Sequence, residues 1–139
     1  MHPVRGEYDA AWVVTTYPGI NRVEFDDGPA FLMADAIVLD TLPTRERDVL
    51  LALLADGVEG FLSDSMVTEL PMQALGGLEA VGISYTGTDD GRELQGTFLV
   101  MVDEVYAFVI HFEAPIDRYD AYAATFAAMV ESFSRSPVD

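Results

Sequence analysis

The sequence contains no cysteine. Disulfides, thiol nucleophiles and thiolate metal sites are therefore excluded. Lysine is also absent: the seven basic residues are all arginine, at Arg5, Arg22, Arg45, Arg47, Arg92, Arg118 and Arg135. Without lysine there is no phosphate-loop cation and no Schiff-base chemistry, and no glycine-rich phosphate loop occurs. Positive charge is scarce overall. The 24 acidic residues leave a formal net charge of −17 on 139 residues, which repels phosphate and argues against nucleic-acid binding. No run of 18 apolar residues is present, so no membrane-spanning helix is expected. Residues 1–10 lack the apolar core of a secretory signal, and a cytoplasmic location is expected unless a leader has been removed.

What is present is a folding sequence. Half of the residues are hydrophobic, far from the composition of a disordered chain. This length makes one domain, spanning residues 1–139, with residues 1–10 and 134–139 expected to be flexible. The stretch 11–17 reads as a strand, Pro18-Gly19 as a turn, and 20–25 as a second strand. Asp26-Asp27-Gly28-Pro29 is a further turn. The apolar run 31–39 suggests a strand buried on both faces. A helix then follows Pro43 with Thr44 as its N-cap. Val49, Leu50, Leu53, Leu54, Val58, Phe61 and Leu62 share one stripe of it. Gly57 and Gly60 weaken that helix unless they permit close packing on a sheet.

The centre reads as an antiparallel meander. Residues 66–74 form a strand that Pro71 demotes to an edge or bulge. Residues 78–86 follow, with Gly82 as a bulge or close contact. Asp90-Gly91 signals a hairpin. Strands 93–102 and 105–113 are joined by Asp103-Glu104, an unusual turn without glycine. Pro115 ends the last strand. A closing helix starts at Asp117, with Tyr119, Tyr122, Ala123, Phe126, Met129, Val130 and Phe133 on its apolar face. Hairpins plus two long amphipathic helices give an α+β fold: a mostly antiparallel sheet with helices packed on it.

Chemistry is harder to find. His111 lies between Ile110 and Phe112, so strand alternation groups it with Val109 and Glu113. No G-x-S-x-G motif supplies a nucleophile for it, and a partly exposed or hydrogen-bonded strand histidine is the expected reading. The acid pairs Asp26-Asp27 and Asp89-Asp90 lack the spacing of a calcium loop, and turn chemistry accounts for them. No metal, no cofactor and no catalytic residue is assigned, and the protein is expected not to be an enzyme. Trp12, Tyr17 and Ile20, around the Pro18-Gly19 turn, are the candidate partner-binding residues, because aromatic side chains dominate interface hot spots.

The second half carries a recognisable pattern. Leu78 to Tyr85 (L-E-A-V-G-I-S-Y) leads through Asp90-Gly91 to Glu93 to Phe98 (E-L-Q-G-T-F). Tyr106 to Phe112 (Y-A-F-V-I-H-F), Ala114-Pro115 and a helix closing in Val130-Glu131-Ser132-Phe133 complete it. These residues resemble the Mog/PsbP-like superfamily, with its DcrB-type and LpqN-type bacterial domains, over about residues 66–134. Tyr17-Pro18-Gly19-Ile20 echoes that family's opening, with Ile20 where tryptophan is common. The resemblance implies a single-domain α/β/α sandwich with no shared catalytic centre. It also implies a non-enzymatic protein-binding module such as an adaptor, assembly factor or secretion chaperone. The charge suggests an alternative, an immunity or inhibitor protein neutralising a basic partner; a small-ligand-binding domain is the third reading. Salt adaptation, or a genome poor in lysine codons, explains the acidity equally well.

Overall fold

In the computed structural model, the described residues are 4–5, 12–17, 20–27, 30–75, 77–131 and 134–135. Among them nine strands and two α-helices follow one another (β1 Val4–Arg5, β2 Trp12–Tyr17, β3 Ile20–Asp27, β4 Ala30–Val38, α1 Arg47–Phe61, β5 Ser63–Leu75, β6 Leu78–Asp89, β7 Arg92–Val102, β8 Tyr106–Pro115, α2 Tyr119–Glu131, β9 Ser134–Arg135). The pair β1–β9 forms a small sheet of its own. The other seven strands form one sheet in the order β2-β3-β4-β8-β7-β6-β5, antiparallel at every step. No described helix is long and apolar enough to cross a membrane.

The strand order explains the helix positions. β4 pairs with β8, yet the next strand in sequence, β5, lies at the far edge. The chain must therefore cross β8, β7 and β6, and α1 makes that crossing on one face. It buries Leu50 and Val58. These join Val100, Ala107, Tyr85 and Leu62 in the cores beneath it. The opposite face carries Leu32, Leu99, Met101, Phe108 and Ile110, closed by Phe126 and Val130 of α2. The result is the α/β/α sandwich with an antiparallel sheet.

Local chemistry sets several boundaries. Asp90 and Gly91 both have positive φ (50° and 76°), the two-residue turn that an Asp-Gly hairpin favours. The β5–β6 register shifts between Leu70 and Gln73, around Pro71, and β5 is an edge strand. Both expectations for that proline hold. Asp103 solves the turn without glycine. Its carboxylate accepts from the backbone N–H of Val105 (2.8 Å) and of Tyr106 (2.7 Å), so the side chain supplies the turn's hydrogen bonds. Gly82 is a close contact: a Cβ there would sit 2.9 Å from the Phe98 carbonyl oxygen.

Other expectations need correction. The α1 N-cap is Glu46, without a side-chain cap. Thr44 instead accepts from the Glu46 N–H at 3.1 Å, one turn before the helix. Gly57 and Gly60 allow no close packing, since nothing lies within 4 Å of a Cβ at either. The α1 stripe is split, with Leu50 and Val58 buried but Val49, Leu53 and Phe61 exposed. Helix α2 begins at Tyr119, so Arg118 and not Asp117 stands at its start. In β4, one face is buried and the other only half-buried.

Candidate functional site

The exposed Leu53 and Phe61 of α1 border a groove. α1 covers the β5–β7 side of its face, and the ends of β8 and β4 beside it are left open. The gap is a groove of about 460 Å³, within the roughly 300–1,000 Å³ of ordinary ligand sites. Leu53, Leu54, Val58 and Phe61 of α1 form one wall; Phe31 and Phe98 of the sheet form the other. Phe61 is 77% exposed and Leu53 49%, at its open side. The polar groups of the lining are Tyr85, Asp89, His111 and Glu113. None of the lining residues is serine, threonine or arginine.

Sheet register builds the floor. Tyr85 lies directly opposite Gly96, Gly96 opposite Glu113, and Glu113 opposite Phe31, one row across four strands. Adjacent strands stand about 4.8 Å apart, so Tyr85 and Glu113 are separated by one whole strand. Glycine at the intervening position removes the obstacle. The Tyr85 ring lies flat over Gly96, where a Cβ would overlap its Cζ and Oη atoms. The phenol thereby reaches Glu113 Oε1 at 2.7 Å. In the next row, Phe98 stands opposite His111, and their rings stack at a centroid distance of 3.8 Å. Phe31 meets the imidazole edge-on at 4.9 Å. His111 Nε2 lies 2.7 Å from the Tyr85 hydroxyl.

A phenol has one proton and can donate once. With Tyr85 donating to Glu113, its oxygen accepts from a protonated His111 Nε2. The chain then runs from His111 through Tyr85 to Glu113 and ends on the carboxylate. Burial raises the Glu113 carboxyl above its ordinary 4.5; the Tyr85 hydrogen bond opposes that rise, and the nearby Asp89 charge adds to it. Burial, reinforced by Glu113, pushes the Tyr85 phenol far above its ordinary 10, so it stays protonated. The arrangement sets the Glu113 carboxyl, held by one phenol donor, in the floor of a mostly apolar groove.

Strand alternation correctly grouped His111 with Glu113, and the hydrogen-bonded reading of His111 holds. Sequence reasoning missed Tyr85, Phe31, Phe98 and the α1 wall. The one available signal was Gly96, a strand glycine flanked by polar and aromatic residues. The candidate residues Trp12, Tyr17 and Ile20 lie elsewhere. Tyr17 pairs with Ile20 at one end of the β2–β3 hairpin, and Trp12 pairs with Phe25 at the other. Their side chains, and residues 18–19, are outside the described part. Ile20 is in register with Ile37, at the end of β4 away from Phe31. Among the described residues no group of three His, Asp or Glu could hold a metal ion.

No protein-family profile and no curated protein matches this sequence. Solved structures do. A Pseudomonas aeruginosa protein of unknown function, PA94, superposes with a TM-score of 0.67 at 11% identity, covering 93% of this chain and 100% of that one. LpqN of Mycobacterium tuberculosis, involved in cell envelope biogenesis, gives 0.63 at 10% identity, covering 96% and 83%. The cyanobacterial PsbP of Synechocystis gives 0.58 at 17%, covering 96% and 87%. The fold is therefore the Mog/PsbP-like fold that the second half of the sequence resembles; at these identities the likeness extends to fold alone.

Proposed function

We propose that this protein is a non-enzymatic accessory module that holds an apolar segment of a partner protein in the groove beside α1. One observation carries this reading: Phe61 and Leu53 remain exposed at the edge of a mostly apolar groove. Full burial of an exposed side chain of this kind is worth roughly 1.5–3 kcal/mol, and these two forgo a part of it; clustered exposed apolar groups mark interaction sites. Two further points support it. The groove lining contains no serine, threonine or cysteine, and structural neighbours include an envelope-biogenesis protein and a PsbP protein.

Capture from native lysate with three baits tests the reading. Wild-type protein and Met66→Glu, whose exposed methionine lies on β5 outside the groove, should retain the same partner. Phe61→Glu should lose it. Retention that ignores Phe61, or no retained protein at all, refutes the reading.

A further inference from the structure

The groove's charges are of one sign. Asp89 and Glu113 both line it, and no arginine does. Among the described residues, Glu113 receives a single side-chain hydrogen bond, from Tyr85 to Oε1. A carboxylate accepts up to about four, so Oε2 retains capacity. The groups that would serve an anion are already used. The Tyr85 proton is directed at Glu113, and His111 Nε2 at Tyr85. A wholly apolar occupant would strip water from Glu113 and give nothing back, a costly burial. An occupant with a cationic donor would replace that water with a charge-assisted hydrogen bond.

We propose that the occupant of this groove presents an organic cation on an apolar stem: a lysine-type side chain set among apolar residues of the partner segment. The inference rests on the binding-groove reading above and names the chemistry of its floor. The ammonium takes Glu113 Oε2, with Asp89 adding attraction. The aliphatic stem lies between Leu53, Phe61 and Phe31, as long basic side chains do on apolar surfaces. Ring faces bordering such a site favour a cation further. The net charge of −17 raises the encounter rate of any positively charged segment and lowers that of an acidic one. The acidity thus has a local focus inside the groove as well as a diffuse effect outside it.

Three probes of equal chain length test this: n-octylammonium, n-octanol and octanoate, titrated into the whole protein and followed by NMR at Tyr85, His111 and Phe61. Octylammonium should bind at least about fivefold tighter than octanol, since charge-assisted hydrogen bonds are roughly twice as strong as neutral ones, with octanoate weakest. Glu113→Gln should bring the ammonium-to-alcohol ratio to within about twofold and leave octanol binding unchanged. If Glu113→Gln does not fold, Asp89→Asn should lower the same ratio. Octanol binding as well as octylammonium, or a ratio insensitive to both substitutions, overturns the cation and leaves the apolar groove standing. If no probe shifts the three groove residues, the groove reading falls as well.

Discussion

Replacing Gly96 by alanine sets two physical rules against each other. A glycine inside a strand costs roughly 0.5–1 kcal/mol relative to alanine through backbone entropy, so propensity alone predicts a more stable variant. The packing predicts the reverse. The new methyl would overlap the Tyr85 ring and stand 2.7 Å from its Cε2. Tyr85 is only 3% exposed, and Val58, Leu62 and Phe98 pack against it, so the ring can give way only toward the groove, off its packing and away from Glu113. Forcing it out strains the core by roughly 1–3 kcal/mol. It also strips Glu113 of the Tyr85 donor, at about 1–3 kcal/mol more. Net destabilisation of about 1–5 kcal/mol is expected, a fall in Tm of roughly 10 °C at the middle of that range for a chain this long. Urea denaturation of wild type, Gly96→Ala, Tyr85→Ala and the double variant measures it. On the Tyr85→Ala background, Gly96→Ala should cost less than about 1 kcal/mol, because no ring remains to displace. A single variant as stable as the parent, or a penalty that persists without the tyrosine, would refute the account.

The other predictions concern the opposite face and pH. Phe126, on α2, is 1% exposed and meets Phe112, Tyr122 and Tyr119 at centroid distances of 4.9, 5.8 and 6.2 Å. Phe126→Ala should cost about 3–5 kcal/mol in denaturant unfolding, and a change within 1 kcal/mol would show that α2 is not packed as described. For Glu113, the folded state holds its proton more tightly than the unfolded chain, whose ordinary value is 4.5. Its contribution to stability is thus complete below that value and is lost as pH rises through the raised folded value. Wild-type stability should therefore decline more steeply above pH 4.5 than that of Glu113→Gln; parallel curves would sink the assignment.

The elements were legible in the sequence because their signals are local. Asp90-Gly91, Pro71 and Pro115 punctuate the chain through their own backbone preferences, and the strands and helices between them carry the matching periodicities. Asp103 was legible as an oddity and explicable only with coordinates, since what it caps is the backbone of Val105 and Tyr106. The α1 stripe shows where local reasoning ends. Spacing places Leu50, Leu53, Val58 and Phe61 on one stripe of the helix, but does not place the sheet beneath them. That sheet is set by β4 pairing with β8 and β5 lying at the far edge. The crossing it imposes covers Leu50 and Val58 and leaves Leu53 and Phe61 over open groove.

The site belongs to the same class of information. Tyr85, Gly96 and Glu113 are separated by 11 and then 17 positions, and nothing in their local sequence links them. They meet because two hairpin registers place them in one row. A shift of one residue in either hairpin would turn a row member to the opposite face. The two-residue turn at Asp90-Gly91 and the carboxylate-capped turn at Asp103 fix those registers. Residues read from the sequence as turn chemistry are thus what aligns the polar floor of the groove. The turn acids and the site acid Glu113 are therefore coupled through the sheet, and a turn substitution that slips β7 against β8 should abolish the Tyr85–Glu113 contact without touching either residue.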